Sequence, residues 1–63
     1  INRNILISDI PTYVSVLEDG GKLLLSGLCF FDVDDILEVC TEQNLKLEKK
    51  LQREEWVSLL LSK

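Results

Sequence analysis

Few side chains in this sequence of 63 residues are of a kind that does chemistry, and those few are placed as structural residues would be. There is no histidine, and Cys29 and Cys40 are the only cysteines. Their spacing is far from C-x-x-C, so a redox pair or a zinc site is not indicated. Both read as small buried hydrophobes in a reducing compartment. Asp32, Asp34 and Asp35 cluster, but no glycine-containing loop closed by a glutamate follows, as a calcium loop requires. They fit the start of a helix, where carboxylates meet free N–H groups and the positive end of the dipole. Trp56 could stack on a planar ring. Beside Val57, at the start of an apolar run, it reads better as a core residue. Lys46, Lys49 and Lys50 form a short basic run diluted by Glu48, Glu54 and Glu55, as on a solvated face.

The bulk properties narrow the function classes. The net charge is −4 with both signs interspersed, whereas a nucleic-acid module is normally basic because phosphate contacts supply much of its affinity. No apolar stretch approaches the roughly 20 residues needed to span a bilayer, and no signal peptide precedes the cysteines. The expectation is a cytoplasmic protein that contacts neither nucleic acid nor membrane. A chain this short buries only about 60% of its unfolded surface. Disulfides, a metal or a partner usually compensate, and with the first two not indicated a partner is the expectation.

The elements that would position these residues follow from patterning. Ile5, Leu6, Ile10, Tyr13, Val14 and Leu17 recur at helical spacing. Pro11 interrupts them, which predicts either one kinked helix or a new turn capped by Asp9; the kinked helix is favoured. Asp19-Gly20-Gly21 marks a turn. Leu23-Leu24-Leu25, bounded by turn residues, predicts a short strand buried on both faces and ended by Gly27. A second helix starts at Asp32, carries Val33, Ile36, Leu37 and Cys40 on one stripe, and stops at Asn44. Leu45, Leu47 and Leu51 alternate with polar residues, as in an edge strand. After a polar turn at 52–55, Trp56–Leu61 predicts a more central strand paired to it as a hairpin.

The order is helix, strand, helix, strand, strand, an α/β pattern. Within the chain only the hairpin can pair with Leu23–Leu25, which leaves one edge and one sheet face bare. Natural domains avoid such exposure. Residues 1–63 therefore read as a single partial domain. The alternative is a small self-contained interaction domain that dimerises through its exposed strand edge. Self-association of the chain is expected on either reading.

The tail resembles the end of class I methyltransferases, a Rossmann-like α/β fold whose sheet ends in an antiparallel hairpin with the final strand inserted between its two predecessors. Within that class it resembles the PrmA family, which methylates large-subunit ribosomal protein eleven. The segments that carry the resemblance are Ile1-Asn2-Arg3-Asn4-Ile5-Leu6, Leu17-Glu18-Asp19-Gly20-Gly21-Lys22-Leu23, Leu25-Ser26-Gly27-Leu28 and Glu55-Trp56-Val57-Ser58-Leu59. They span essentially the whole chain in family order.

The resemblance implies a C-terminal fragment of an S-adenosylmethionine-dependent protein methyltransferase. The parent would transfer methyl groups to amines of a ribosomal protein by holding a deprotonated amine in line with the methyl sulfonium. In the family an Ala-Asn pair precedes the position of Ile1, and that Asn lines the active site. A glycine-rich loop and an acidic residue after earlier strands hold the cofactor. None of these is in the chain, so no catalytic, cofactor-binding or metal residue is assigned, and the fragment alone is expected neither to bind S-adenosylmethionine nor to catalyse. Ile1 and Asn2 would form the lip of the pocket, with Gly27 and Leu28 pointing toward the same end of the sheet. The competing reading is that Ile1 and Leu28 are packing residues and Gly27 a turn.

Overall fold

The computed structural model describes residues 2–63. It contains α1 (Arg3–Val16), β1 (Lys22–Cys29), a 3-10 turn (Phe30–Asp32), α2 (Val33–Glu42), β2 (Lys46–Arg53) and β3 (Trp56–Ser62). The three strands form one sheet in the order β1-β3-β2, and both pairings are antiparallel. The last strand thus lies between its two predecessors, as the resemblance to class I methyltransferases implies.

α1 begins at a cap that the sequence reading did not assign. Asn2 is extended, and its Oδ1 accepts from the backbone N–H of Asn4 at 2.8 Å and of Ile5 at 3.3 Å. Asn at this position satisfies donors that a helix start leaves free. Asp9 caps nothing, because the helix runs unbroken through Pro11. Pro11 is exposed. The ring removes the N–H that would otherwise bond the Ile7 carbonyl one turn back. The buried stripe is Leu6, Ile10 and Val14. Ile5 and Tyr13 each precede a stripe residue by one position, about 100° around the helix, and both are exposed.

β1 is longer than predicted. Leu25 pairs with Leu59 but Leu28 pairs with Val57, so β1 carries one extra residue between them, a bulge. Gly27 sits in it at φ +71°, a conformation that costs glycine little and other residues more. The glycine therefore bends the strand instead of ending it. Leu24 is 66% exposed, so the expectation of a strand buried on both faces is not met: residues flanking Leu24 point to the helices, and Leu24 points away.

The 3-10 turn changes the start of α2. Asp32 occupies the cap position with helical dihedrals (φ −95°, ψ −11°), and its carboxylate makes no capping hydrogen bond. Capping needs the extended backbone that Asn2 has and Asp32 lacks. Asp34 and Asp35 do lie in the first turn. Val33, Ile36 and Cys40 are buried, with Leu37 packed against the core. Asn44, at φ 62°, ends the helix as expected. Its N–H donates to the Thr41 carbonyl, and the Leu45 N–H donates to that of Cys40. This is a Schellman motif with Asn in the left-handed position.

β2 is an edge strand and exposed throughout. A second irregularity falls between Leu47, which pairs with Leu61, and Lys49, which pairs with Leu60. Directly paired residues share a face of the sheet. Leu47 therefore stays on the helix side while Leu51, paired with Ser58, moves to the other. The predicted common face for Leu45, Leu47 and Leu51 breaks at this bulge.

The core lies between the helices and one face of the sheet. Leu6, Ile10 and Val14 from α1 and Val33, Ile36 and Cys40 from α2 pack with Leu25, Leu28, Leu45, Val57, Leu59 and Leu61. Desolvation raises the thiol pKa of Cys40.

Candidate functional site

One end of the molecule gathers most of the predicted lip. A bond from Arg3 Nη1 to Asp35 Oδ2, 2.8 Å long, ties the start of α1 to the start of α2. α2 follows β1 after only the 3-10 turn. The N-termini of both helices and the C-terminal end of β1 thus share this end, where Asn2, Gly27 and Leu28 also lie.

The individual residues differ in what they offer. Ile1 lies outside the described residues. Asn2 is exposed, but its Oδ1 is engaged in capping α1. Gly27 is exposed at the bulge, so its backbone is open to solvent. Leu28 is 1% exposed and belongs to the core. It can shape this end only by packing.

Trp56 is not the core residue predicted. It is 51% exposed and pairs with Cys29 at the outer end of β1. In β3 the buried side chains are Val57, Leu59 and Leu61. Trp56 is out of phase with them by one residue, so the pleat turns it to the opposite face. Cys29 is only partly buried, for the same reason; Cys40 is buried as expected. Lys46, Lys49 and Lys50 are exposed on β2, as a solvated run would be.

The sequence reading also passed over Phe30 and Phe31. Both are exposed, with ring centroids 5.4 Å apart and planes at 76°. The Phe30 N–H donates to the Glu55 carbonyl at 2.9 Å, which places the pair beside the start of β3. An aromatic doublet between a strand and an aspartate was the available signal, since two adjacent side chains in such a turn cannot both enter the core. Among the described residues no group of three or more His, Cys, Asp or Glu side chains could hold a metal ion. No described helix is long and apolar enough to cross a membrane.

No family model matches the chain. Individual proteins do. A ribosomal protein L11 methyltransferase of Porphyromonas gingivalis is 41% identical over 59 residues, which is 94% of this chain and 20% of that protein. A protein of the same name from Chromohalobacter salexigens is 32% identical over 54 residues, 86% of this chain and 18% of its own length. The crystal structure of a ribosomal protein L11 methylase from Lactobacillus delbrueckii subsp. bulgaricus superposes with a TM-score of 0.92 at 25% identity, covering 100% of this chain and 33% of that one. The chain thus spans about a fifth of the length of the curated relatives it matches. Similar in sequence over nearly all of its length and in fold over the whole of it, the chain matches ribosomal protein L11 methyltransferases as a segment that fits a C-terminal piece of such a protein.

Proposed function

We propose that residues 1–63 are the C-terminal part of the catalytic domain of a cytoplasmic, S-adenosylmethionine-dependent methyltransferase that acts on ribosomal protein L11. The observation that carries this reading is the joint one: 41% identity to the Porphyromonas gingivalis relative, and superposition on a methylase of that name with a TM-score of 0.92.

On this reading the chain contributes scaffold, not chemistry. When bound, S-adenosylmethionine supplies the methyl group. The residues here do not fit a site for it: Asn2 is committed to its cap, Leu28 is enclosed in the core, and Gly27 offers only backbone. No step is therefore routed through this chain. Asn2 and Gly27 serve as the lip, Leu28 supports it by packing, and the bulge at Gly27 fixes where β1 bends.

Calorimetric titration of S-adenosylmethionine into the chain tests this. No binding is expected up to about 1 mM, the weak end of the usual affinity scale. Mixing with the complementary four fifths of the Porphyromonas gingivalis relative is expected to restore methylation of ribosomal protein L11. Stoichiometric cofactor binding by the chain alone, or a mixture that stays inactive while that relative at full length is active, would sink the reading.

Self-association belongs to the same proposal. β1 is an edge of the sheet, and its outer backbone groups are free to pair with another strand. Sedimentation of the isolated chain should show a dimer at high concentration; a monomer at every concentration would remove this part.

A further inference from the structure

The sheet has two edges, β1 and β2, and their chemistry differs. β1 carries one charged residue, Lys22, at its first position. β2 carries Lys46, Glu48, Lys49, Lys50 and Arg53 within eight residues. Four of the chain's seven basic residues thus lie on one edge strand, with only one of its eleven acids. Among the described residues β2 is paired on one side only, to β3. The antiparallel ladder therefore leaves every second N–H and C=O of β2 pointing outward.

Glu48 is already engaged. It lies at the β2 irregularity, 3.6 Å from Lys22 and 3.9 Å from Lys46. Among the described residues Lys49, Lys50 and Arg53 have no carboxylate partner. They fall in the regular part of the ladder, from Lys49 to Arg53, where each residue has its own partner on β3. Lys50, paired with Leu59, is on the helix side; Lys49 and Arg53, paired with Leu60 and Trp56, are on the other. Cations without a partner therefore flank the free edge on both faces.

A second β2 is a poor occupant, because it would bring the same cations against these. Lysines guard an edge against self-pairing in this way. Nor can the chain's own acids dock as a strand. Asp34, Asp35, Glu38 and Glu42 are in α2, and Glu54 and Glu55 lie at the hairpin turn. The edge calls for carboxylates on an extended backbone from another polypeptide.

We propose that the outer edge of β2 takes up an extended acidic segment of another protein as a fourth strand, with carboxylates opposite Lys49, Lys50 and Arg53. The added strand runs antiparallel, the sense of both existing pairings and the slightly more stable one. Register then sets the preferred order: acid, any residue, apolar, acid, acid. The first acid lies opposite Arg53, and the apolar residue meets Leu51, which is 58% exposed. Backbone hydrogen bonds hold such a segment, and its side chains select it. The inference rests on the edge alone and is independent of methyl transfer.

The test titrates three short peptides into the isotope-labelled chain at low salt. One has Glu-Thr-Val-Glu-Glu at its centre. The second replaces each glutamate by lysine, and the third is the first with every backbone nitrogen of that centre methylated. The glutamate peptide should shift the amide signals of Lys49 to Arg53 and bind about tenfold tighter than the lysine peptide. The methylated peptide should lose about tenfold as well, because it cannot donate to the edge. Lys49→Gln, Lys50→Gln and Arg53→Gln together should erase the preference for glutamate, and the three Glu substitutions should reverse it. These positions are exposed, so the remaining signals should stay in place. No shift with the glutamate peptide up to about 1 mM would overturn the proposal. Equal affinity for the glutamate and lysine peptides would do so too. Undiminished binding of the methylated peptide would mean charge attraction without an added strand. Concentration-dependent shifts of Lys49 to Arg53 in the chain alone would mean a second copy on this edge, and tighter binding of oligothymidylate than of the glutamate peptide a nucleic-acid surface. Each of these three outcomes overturns the proposal.

Discussion

Lys63 Nζ donates to the backbone carbonyl of Leu17 at 2.7 Å, joining the last residue of the chain to the C-cap of its first helix. The same ammonium donates to the Val14 carbonyl at 2.9 Å. The backbone closes the junction, with Gly20 N–H donating to Lys63 and Lys63 N–H to Gly21. A helix C-terminus presents unpaired carbonyls and a partial negative charge, and α1 has no basic residue in its own last turn. Lys63 supplies the missing cation from 46 residues away.

Lys63→Met keeps most of the aliphatic stem and removes the charged donor. It should destabilise the chain by about 1 kcal/mol, since two charge-assisted bonds are lost but water can replace part of them. A urea midpoint shows this directly. Lys63→Arg should recover at least part of the loss, and a midpoint unchanged in the Met variant would mean that the contact contributes nothing.

Among the described residues two non-glycine residues hold positive φ, and they predict opposite responses. Glu54 lies in the hairpin turn at φ 56°, with its carbonyl accepting from Gln52 Nε2 at 3.0 Å. Glu54→Gly removes the strain and should raise stability by about 0.5–1 kcal/mol, offset in part by greater freedom of the unfolded chain. Asn44, at φ 62°, closes α2. Asn44→Val places a branched side chain where it fits worst and should cost about 1–2 kcal/mol. Thermal midpoints that move the same way for both would contradict this account.

Element order, the α2 stripe and the Asn44 stop were legible because each rests on local periodicity or on one residue's backbone preference; the inserted last strand came from the family resemblance. What was not legible depends on register. The bulges at Gly27 and beside Glu48 each shift a strand by one residue, and a shift of one moves side chains to the other face. For that reason Leu51 leaves the helix side. Trp56 and Leu24 misled for another reason: strand phase, not apolar character, decides which face a side chain takes, and both lie opposite the buried set. The lip rests on the family resemblance alone, because Asn2 and Gly27 carry no chemistry of their own beyond a cap and a bend.

The two thiols should separate by reactivity. Cys40 is buried and its thiol pKa is raised by desolvation, whereas Cys29 is partly exposed. The thiolate is the reactive form. Alkylation of the native chain should therefore modify Cys29 first, with Cys40 protected until denaturant is added. The raised folded pKa also sets a sign. The native state holds the Cys40 proton more tightly than the unfolded chain does. The stability this gives is present below the unfolded thiol pKa of about 8.5 and is lost as pH rises through the folded value. Urea midpoints of the wild type should fall above that pH more steeply than those of Cys40→Ala. Parallel curves would mean that the burial of this thiol is not coupled to folding.

The two faces of the sheet predict a sharp contrast between two leucines paired through neighbouring positions. Leu59 is 0% exposed and pairs with Leu25 on the helix side; Leu24 is 66% exposed and pairs with Leu60 on the open side. Leu59→Ala leaves a cavity in a core shared by both helices and should cost about 3 kcal/mol. In a chain this small that is a large share of the total stability, so loss of cooperative unfolding is the expected readout. Leu24→Ala removes a side chain that touches little in the chain itself and should change stability by no more than about 0.5 kcal/mol. If Leu24→Ala proved as damaging as Leu59→Ala, the open face would already be buried in the isolated chain, and the two-faced sheet would not describe it in solution.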